Sequence, residues 1–505
     1  MLRKAARRLC QVLTARQEEA GQALLFVLMA SALLISIPLA IATTTANQLP
    51  ETTRNLNWDA AYEAAQAGLN DYLQDLDNNQ SYTIYNKSNE PSPVNAAFTG
   101  WVQASTTPPE YYSYTPIVVP ATGLVSLEVS GKAGNGTGQV VRTFDYTVRP
   151  ATSLDDIYWS NYETVDPNLG SQYSSCDQYY QSGSSPASGC VIEFDTADVL
   201  DGPVFSNDTF RMCGSPTFKS TVESGNSVLA AGYTSSPGCG SSTPIFQDGS
   251  PTLVANTPPQ TAIPPSTISA ALTYGCEFTG NVTLVMTAVP TASPPDTSIA
   301  WSGGTLASGS KSWCGSGSSG TITTKSMTAA LIYTPGNITV SGSMAGSLDL
   351  TSQGNIATSG SITYPSADIK TAANGTMYDA QDILGLVAQN FISINPTTSS
   401  GTTIDAAILS LQDSFYLPNW GGVGQEGTLT VFGSIAQNNR GPVGTATSGG
   451  GVATGFSKSY HYDTSLQTLW PPYFVPPTSA AWNATAYSEC VQGLAYSVLG
   501  TKTVC

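Results

Sequence analysis

The feature that most constrains the fold is an apolar run of about twenty residues near the N-terminus, from Ala23 to Ala42. A helix of this length matches the ~30 Å hydrocarbon core of a bilayer. Basic residues precede the run, and none follows it until Arg54. The positive-inside rule therefore predicts a cytoplasmic N-terminus and an exported remainder. A cleaved secretory signal is the alternative, although its apolar region would be shorter, about 7–15 residues.

A second helix is predicted directly after this run. Residues Thr52 to Asp77 contain no proline and carry an apolar stripe at helical spacing. The stripe consists of Leu56, Ala60, Ala64, Leu69, Leu73 and Leu76. We therefore expect a transmembrane helix over residues 22–45 to be continued by an amphipathic helix over residues 46–80.

The N-terminus combines a basic leader, a glycine just before a long apolar helix, and an Ala-rich helix that reads AAYEAAQAGLNDYL. In these features it resembles PilX-type minor pilins of type IV pilus systems. The resemblance implies that residues 1–21 form a cytoplasmic leader. It also implies that a prepilin peptidase cuts after Gly21 and leaves Gln22 as the first mature residue. The helix would then bind the membrane and other pilin-like subunits.

Strand patterns begin after a polar, Pro-containing segment. Leu124–Ser130 and Gln139–Val148 each alternate apolar and polar residues, and the turn sequence GKAGNGTG joins them. We expect residues 81–150 to form a small antiparallel sheet packed on the amphipathic helix. A helix laid over a sheet is also what the pilin resemblance implies.

From residue 151 the sequence changes to short apolar strands separated by Gly, Ser and Asn. The segments GNITVSGSM at Gly336 and GNIATSGSI at Gly354 share six of nine residues at an offset of 18. A period near twenty with β-branched strands favours a parallel β-helix over residues 151–480, in which each coil stacks on the next. A β-sandwich with similar turns is the alternative. The predicted fold class is therefore mainly β.

Nine cysteines are present, and Cys10 lies in the predicted cytoplasmic leader. The other eight are Cys176, Cys190, Cys213, Cys239, Cys276, Cys314, Cys490 and Cys505. An even number in an exported protein predicts disulfides, and pairing between successive cysteines is the simplest scheme for a chain that stacks locally. Residues 481–505 would then be a disulfide-tied C-terminal segment. A zinc site is the alternative, but no Cys-x-x-Cys occurs.

Charge is scarce in this chain. Only 10% of the residues are charged, and the formal net charge is −17. Nucleic-acid binding is disfavoured, because it requires basic surface. Disorder is disfavoured as well, because 24 Tyr, 14 Phe and 8 Trp supply anchors for a core.

Catalytic motifs are absent from the sequence. Four aspartates could meet on one face and bind calcium, although no EF-hand loop or Gly-Asp repeat is present. They are Asp368, Asp379, Asp382 and Asp405. A Ser-His-Asp device could use only His461, beside Asp463, and no G-x-S-x-G elbow occurs. We therefore predict no catalytic residues, no metal and no cofactor, and place His461 in an aromatic cluster as a structural residue.

Three functions remain open from the sequence. The first is a pilin-like structural or adhesive subunit of a type IV pilus or secretion pseudopilus, anchored in a bacterial membrane with its C-terminal part at the cell surface. The second is a signal-anchored surface protein that binds a ligand and never polymerises. The third is a β-helical enzyme that acts on envelope glycans, for which the supply of charged residues is thin.

Overall fold

The structure is a computed structural model that describes most of the chain after residue 51. The described residues are 52–79, 82–83, 100–118, 124–176, 189–225, 231–236, 238–254, 262–307, 311–327, 330–366, 368–372, 375–379, 381–396, 400–475, 481–490, 495–498 and 501–504. The predicted leader, the predicted transmembrane helix and the processing residues Gly21 and Gln22 lie outside these ranges. Among the described residues, no helix is both long enough and apolar enough to cross a membrane.

The described residues form mainly β-strands, as the sequence predicts, together with helices α1 (residues 52–78) and α2 (Pro265–Tyr274). The strands are, in chain order, β1 (Val102–Thr106), β2 (Pro109–Val118), β3 (Val125–Ala133), β4 (Val140–Pro150), β5 (Tyr158–Val165), β6 (Phe194–Asp195), β7 (Val199–Asp201), β8 (Val204–Ser206), β9 (Phe210–Cys213), β10 (Thr217–Phe218), β11 (Val222–Ser224), β12 (Tyr233–Ser235), β13 (Ile245–Phe246), β14 (Thr252–Leu253), β15 (Cys276–Glu277), β16 (Val282–Val289), β17 (Asp296–Ser302), β18 (Ser319–Thr323), β19 (Leu331–Thr334), β20 (Ile338–Ser343), β21 (Ser347–Ser352), β22 (Ile356–Thr363), β23 (Lys370–Thr371), β24 (Met377–Tyr378), β25 (Ile383–Ala388), β26 (Ile392–Asn395), β27 (Thr402–Ser410), β28 (Phe415–Tyr416), β29 (Gln425–Arg440), β30 (Gly444–Ala446), β31 (Val452–Tyr462), β32 (Trp482–Cys490), β33 (Ala495–Val498) and β34 (Thr501–Val504). Short 3-10 turns lie at Gly136–Gly138, Ser153–Asp155, Pro167–Leu169, Ser171–Tyr173, Ser312–Cys314, Thr324–Ser326 and Thr464–Gln467.

Helix α1 packs one face on a five-stranded antiparallel sheet, the small sheet that the sequence predicts. Ala61, Ala65 and Tyr72 on this face are fully buried. The helix approaches closely because β3 carries Gly131, where an added Cβ would lie 1.9 Å from the carbonyl oxygen of Ala61. Leu56, the first residue of the predicted stripe, is 65% exposed, so the buried face begins one turn later.

The fifth strand of this sheet comes from the C-terminal region of the chain. The order is β1-β2-β3-β4-β32, and β32 runs antiparallel to β4 with Trp482 opposite Pro150. An ion pair of 2.6 Å between Arg142 and Glu489 joins the two strands. We call α1, β1–β4 and β32 the module. The residues from Ser153 to Val475, here the β domain, are thus an insertion between two neighbouring strands of the module.

The β domain is built on three parallel ladders. The first contains β15, β19, β21, β25, β27, β29, β5, β8, β11 and β14. The second contains β16, β20, β22, β26 and β28. The third contains β22, β27, β29, β31, β7, β10 and β13. Long strands such as β27 and β29 belong to two ladders and so join one face to the next.

The repeated GN segments lie on neighbouring rungs of the second ladder. Ile338 and Ile356 are in register and fully buried, so equivalent residues of the repeat stack directly. Before each strand an asparagine side chain accepts a backbone N–H of the next rung, from Asn337 to Asn281 Oδ1 and from Asn355 to Asn337 Oδ1, both at 2.8 Å. This asparagine ladder satisfies amide groups at the turn, where strand pairing ends.

The chain enters and leaves the β domain at one place within the stack. β31 pairs with the first half of β29, and β5 pairs with its second half, so two distant stretches of chain make up the next rung. From β5 the chain runs to β14 at one end of the ladders, passes through α2 to β15 at the other end, and returns to β31. Entry and exit also touch directly, because Ala151 N–H donates to the Ala481 carbonyl at 2.7 Å.

Candidate functional site

Three disulfides stabilise the β domain, which confirms that this chain forms disulfide bonds. They join Cys176 to Cys190, Cys213 to Cys239, and Cys276 to Cys314. Each links two cysteines that follow one another along the chain. The fourth predicted pair, Cys490 with Cys505, includes a residue outside the described ranges.

A cavity of about 140 Å³ opens on the side of the ladders, and we call it the cleft. Its aromatic wall is formed by Tyr173 and Trp420, whose ring centroids lie 6.0 Å apart. Its charged wall is formed by Glu193, Asp195 and Lys458. Tyr173 is held in place by a 3-10 turn that the Cys176–Cys190 disulfide closes, and Trp420 follows β28 in a tight turn.

Two ion pairs form a buried layer beside the cleft. Arg440 Nη1 donates to Glu163 Oε2 at 2.8 Å, and both side chains are at most 2% exposed. The Lys458 ammonium donates to Asp198 Oδ2 at 2.5 Å, and Asp198 is fully buried. The Arg440 guanidinium also stacks on the ring of Phe194 at 3.6 Å from its centroid. Each cation in this layer therefore has its own carboxylate.

Neither Glu193 nor Asp195 forms an ion pair with a described residue, although Arg440 and Lys458 attract Glu193 and Lys458 attracts Asp195. Glu193 Oε2 accepts only a long hydrogen bond of 3.5 Å from Ser236, and Asp195 Oδ1 accepts the Ala197 N–H at 2.8 Å. Burial raises the pKa of both carboxyls, and Asp198 raises that of Asp195 further. Asp195 is only 4% exposed, yet it lines the cleft. Partly desolvated carboxylates thus face a space large enough for a small ligand.

No residue of the cleft was predicted as a site residue from the sequence. Its charged residues come from regions that are far apart along the chain and meet only because β5 and β31 share a rung. A usable signal was present, however. In a chain with only 18 Lys and Arg, Arg440 and Lys458 each lie in a strand-like segment, where an unpaired cation would be costly to bury.

The four aspartates that the sequence singled out lie close enough to influence one another. Asp368 and Asp382 interact electrostatically, and Asp379 interacts with Asp368, Asp382 and Asp405. Three of them accept backbone N–H groups: Asp379 from Asp382, Asp382 from Gly346, and Asp405 from Tyr364. In the described part of the chain, three potential metal ligands lie mutually within 4.8 Å only at Glu193, Cys213 and Cys239. Because the two sulfurs there form a disulfide, this group lacks thiolate ligands.

His461 lies outside the aromatic cluster in which the sequence analysis placed it, and that interpretation was wrong. Tyr460 and Tyr462 point into the β domain and are buried, so strand alternation turns His461 to the outer face. There its Nε2 lies 3.0 Å from Ser459 Oγ, and its Nδ1 lies 3.4 Å from Asp201 Oδ2. The backbone of this strand serves ladders on both sides, which leaves no oxyanion hole of free amides beside Ser459 in the described structure.

The module presents an apolar surface beside the start of α1. Trp58 is 45% exposed and Tyr487 is 64% exposed. The Arg142 guanidinium lies 4.7 Å from the Trp58 ring and pairs with Glu489. We call these residues the aromatic patch.

No protein-family model matches the sequence, and no curated protein matches it. Among solved structures, the competence-associated pilin ComZ from Thermus thermophilus is similar, with a TM-score of 0.32 and 10% sequence identity. The alignment covers 85% of this chain and 96% of that chain.

Proposed function

We propose that this chain is a membrane-anchored, pilin-like structural protein of the bacterial envelope, which carries the β domain on its outer side. The observation that carries the proposal is the module itself. Helix α1 begins soon after the apolar run of Ala23–Ala42 and lays an Ala-rich face on an antiparallel sheet. The start of α1, which is the part closest to the apolar run along the chain, is exposed at Leu56 and Trp58.

In this proposal the apolar segment anchors the chain, and after extraction from lipid it binds other subunits of the same kind. The chain is then a minor-pilin-type subunit of a type IV pilus or pseudopilus. The three ladders are the faces of a parallel β-helix that extends from the module and serves adhesion or assembly. The buried aspartates support a role without catalysis, because their oxygens accept backbone N–H groups of turns.

The state of the native N-terminus tests the proposal. Mass spectrometry of the protein isolated from its own cells should find a mature N-terminus at Gln22 and recovery with sheared surface filaments. A Gly21→Leu variant should stay uncut and membrane-bound, whereas a Gly424→Ala variant, at an open position in the β domain, should be processed normally. An uncut Met1 form found only as a membrane monomer would contradict the pilus role and favour a non-polymerising anchored protein.

A further inference from the structure

We propose that the cleft of the β domain binds a primary ammonium group carried on a small organic ligand. The proposal concerns the β domain alone and does not depend on how the chain is anchored or whether it polymerises. It follows from the charge balance of the cleft, from its volume and from its aromatic wall.

The charge balance calls for a cation. Glu163 and Asp198 are each paired with a buried cation, at 2.8 and 2.5 Å. Glu193 and Asp195 also line the cavity and form no ion pair with a described residue, so four carboxylates share the two cations Arg440 and Lys458. Two carboxylates that are partly removed from water are stabilised when a positive charge binds between them.

Asp195 is positioned as a receptor for such a charge. Asp195 is only 4% exposed, so the fold holds its side chain and the side chain does not move freely in solvent. Its Oδ1 accepts the Ala197 N–H, and its own N–H donates to Asp198 Oδ2 at 2.9 Å. Oδ2 of Asp195 accepts no hydrogen bond from any described residue, and Asp195 belongs to the lining of the cleft. A ligand N–H therefore has an acceptor already in place.

The walls favour an organic cation over a metal ion. The cavity volume of about 140 Å³ is large enough for several water molecules. This volume is larger than a single bound metal ion requires. The aromatic rings of Tyr173 and Trp420 offer π-faces to an ammonium group and apolar contact to the carbon stem behind it. Val443 and Phe456 extend this apolar lining toward the floor. An ammonium head on a short carbon framework fits both walls at once.

Two sources supply this chemistry, a lysyl side chain and an amino sugar. The test uses the full-length protein in a non-ionic detergent and isothermal titration with Nα-acetyl-lysine methylamide and with glucosamine. Their neutral counterparts are Nα-acetyl-norleucine methylamide and N-acetylglucosamine. We expect saturable binding of at least one amine probe and none of its neutral counterpart, and the probe that binds more tightly identifies the source.

Variants test whether binding occurs in the cleft. Glu193 is partly exposed, so Glu193→Gln should fold normally and weaken the amine probe by about tenfold or more, as the loss of a charged hydrogen-bond partner does. Trp420→Ala should weaken binding without changing the charge. Asp248→Asn, at an exposed site on a distant rung, should bind like the wild type. The proposal is overturned if neither amine probe binds, if the neutral probes bind equally well, or if Glu193→Gln and Trp420→Ala leave the affinity unchanged.

Discussion

At the scale of single residues, the β domain is unusual for the number of carboxyl groups it buries. Burial raises the pKa of Asp349 to about 8, and that of Asp382 and Asp405 to about 7. Asp349 and Asp382 each have one oxygen, Oδ2, that is buried without a hydrogen-bond partner. These groups are therefore most stable in the folded protein when they are protonated and neutral.

We predict that the melting temperature falls as the pH rises from 5.5 to 8.5. A carboxyl whose pKa is raised on folding stabilises the protein fully below its unfolded pKa of about 4, and this stabilisation is lost as the pH rises through the folded pKa. Each such group contributes a slope of up to ~1.4 kcal/mol per pH unit. Calorimetry across this range measures the effect.

Asp349→Asn should flatten this profile, because it removes the group with the highest of the three pKa values. The exposed Asp248→Asn variant should retain the full slope. A melting temperature that rises with pH, or a full slope in Asp349→Asn, would show that buried carboxyls do not control the stability.

At the scale of elements, the GN repeat explains how neighbouring rungs fit together. At Gly336 and Gly354, the glycine before the ladder asparagine lies against the preceding rung. A Cβ on Gly354 would lie 2.3 Å from Asn337 Oδ1, whereas a Cβ on Gly280, in the first GN turn, would meet nothing within 4 Å. The same motif position is therefore crowded inside the stack and open at its end.

This difference gives a matched pair of variants. Gly354→Ala should lower the stability of the β domain by about 1–3 kcal/mol, as overpacking does, because the added methyl group displaces the Asn337 side chain from the ladder. Gly280→Ala should change it by no more than about 0.5 kcal/mol. Denaturant titration of both variants measures the two effects, and equal losses would contradict the ladder as their cause.

The same repeat marks the limit of prediction from this sequence. Two closely similar segments predict that their strands stack, because equivalent apolar residues must meet on one face. Cysteine number and the predicted export likewise predict disulfides. The pairing of β29 with β5 has no signal in the sequence. The two strands share no repeat, and they are far apart along the chain. The cleft depends on that pairing, so the sequence could not predict that its residues lie together.

At the scale of the whole molecule, the module depends on a strand that the chain supplies only after completing the β domain. Phe144 and Tyr146 of β4 are covered by Tyr487 of β32, with ring centroids 6.4 and 5.7 Å apart. Without β32, β4 becomes an exposed edge and Arg142 loses Glu489.

We therefore predict that a chain ending at Ala481 has a destabilised module and an intact β domain. Hydrogen exchange measured by mass spectrometry should become faster in β4 and α1 and remain slow in the ladders from β19 to β29. A chain ending at Cys490 keeps β32 and should retain slow exchange in β4. Unchanged protection of β4 in the shorter chain would mean that the four remaining strands suffice.

The shared entry and exit rung has a consequence for how such a protein can change over time. Because both connections to the module lie within the stack, the two ends of the ladders are joined to each other through α2 and not to the module. Coils can be gained or lost at either end by duplication or deletion, and the junction stays the same. The length of the β domain can therefore vary while the module stays constant.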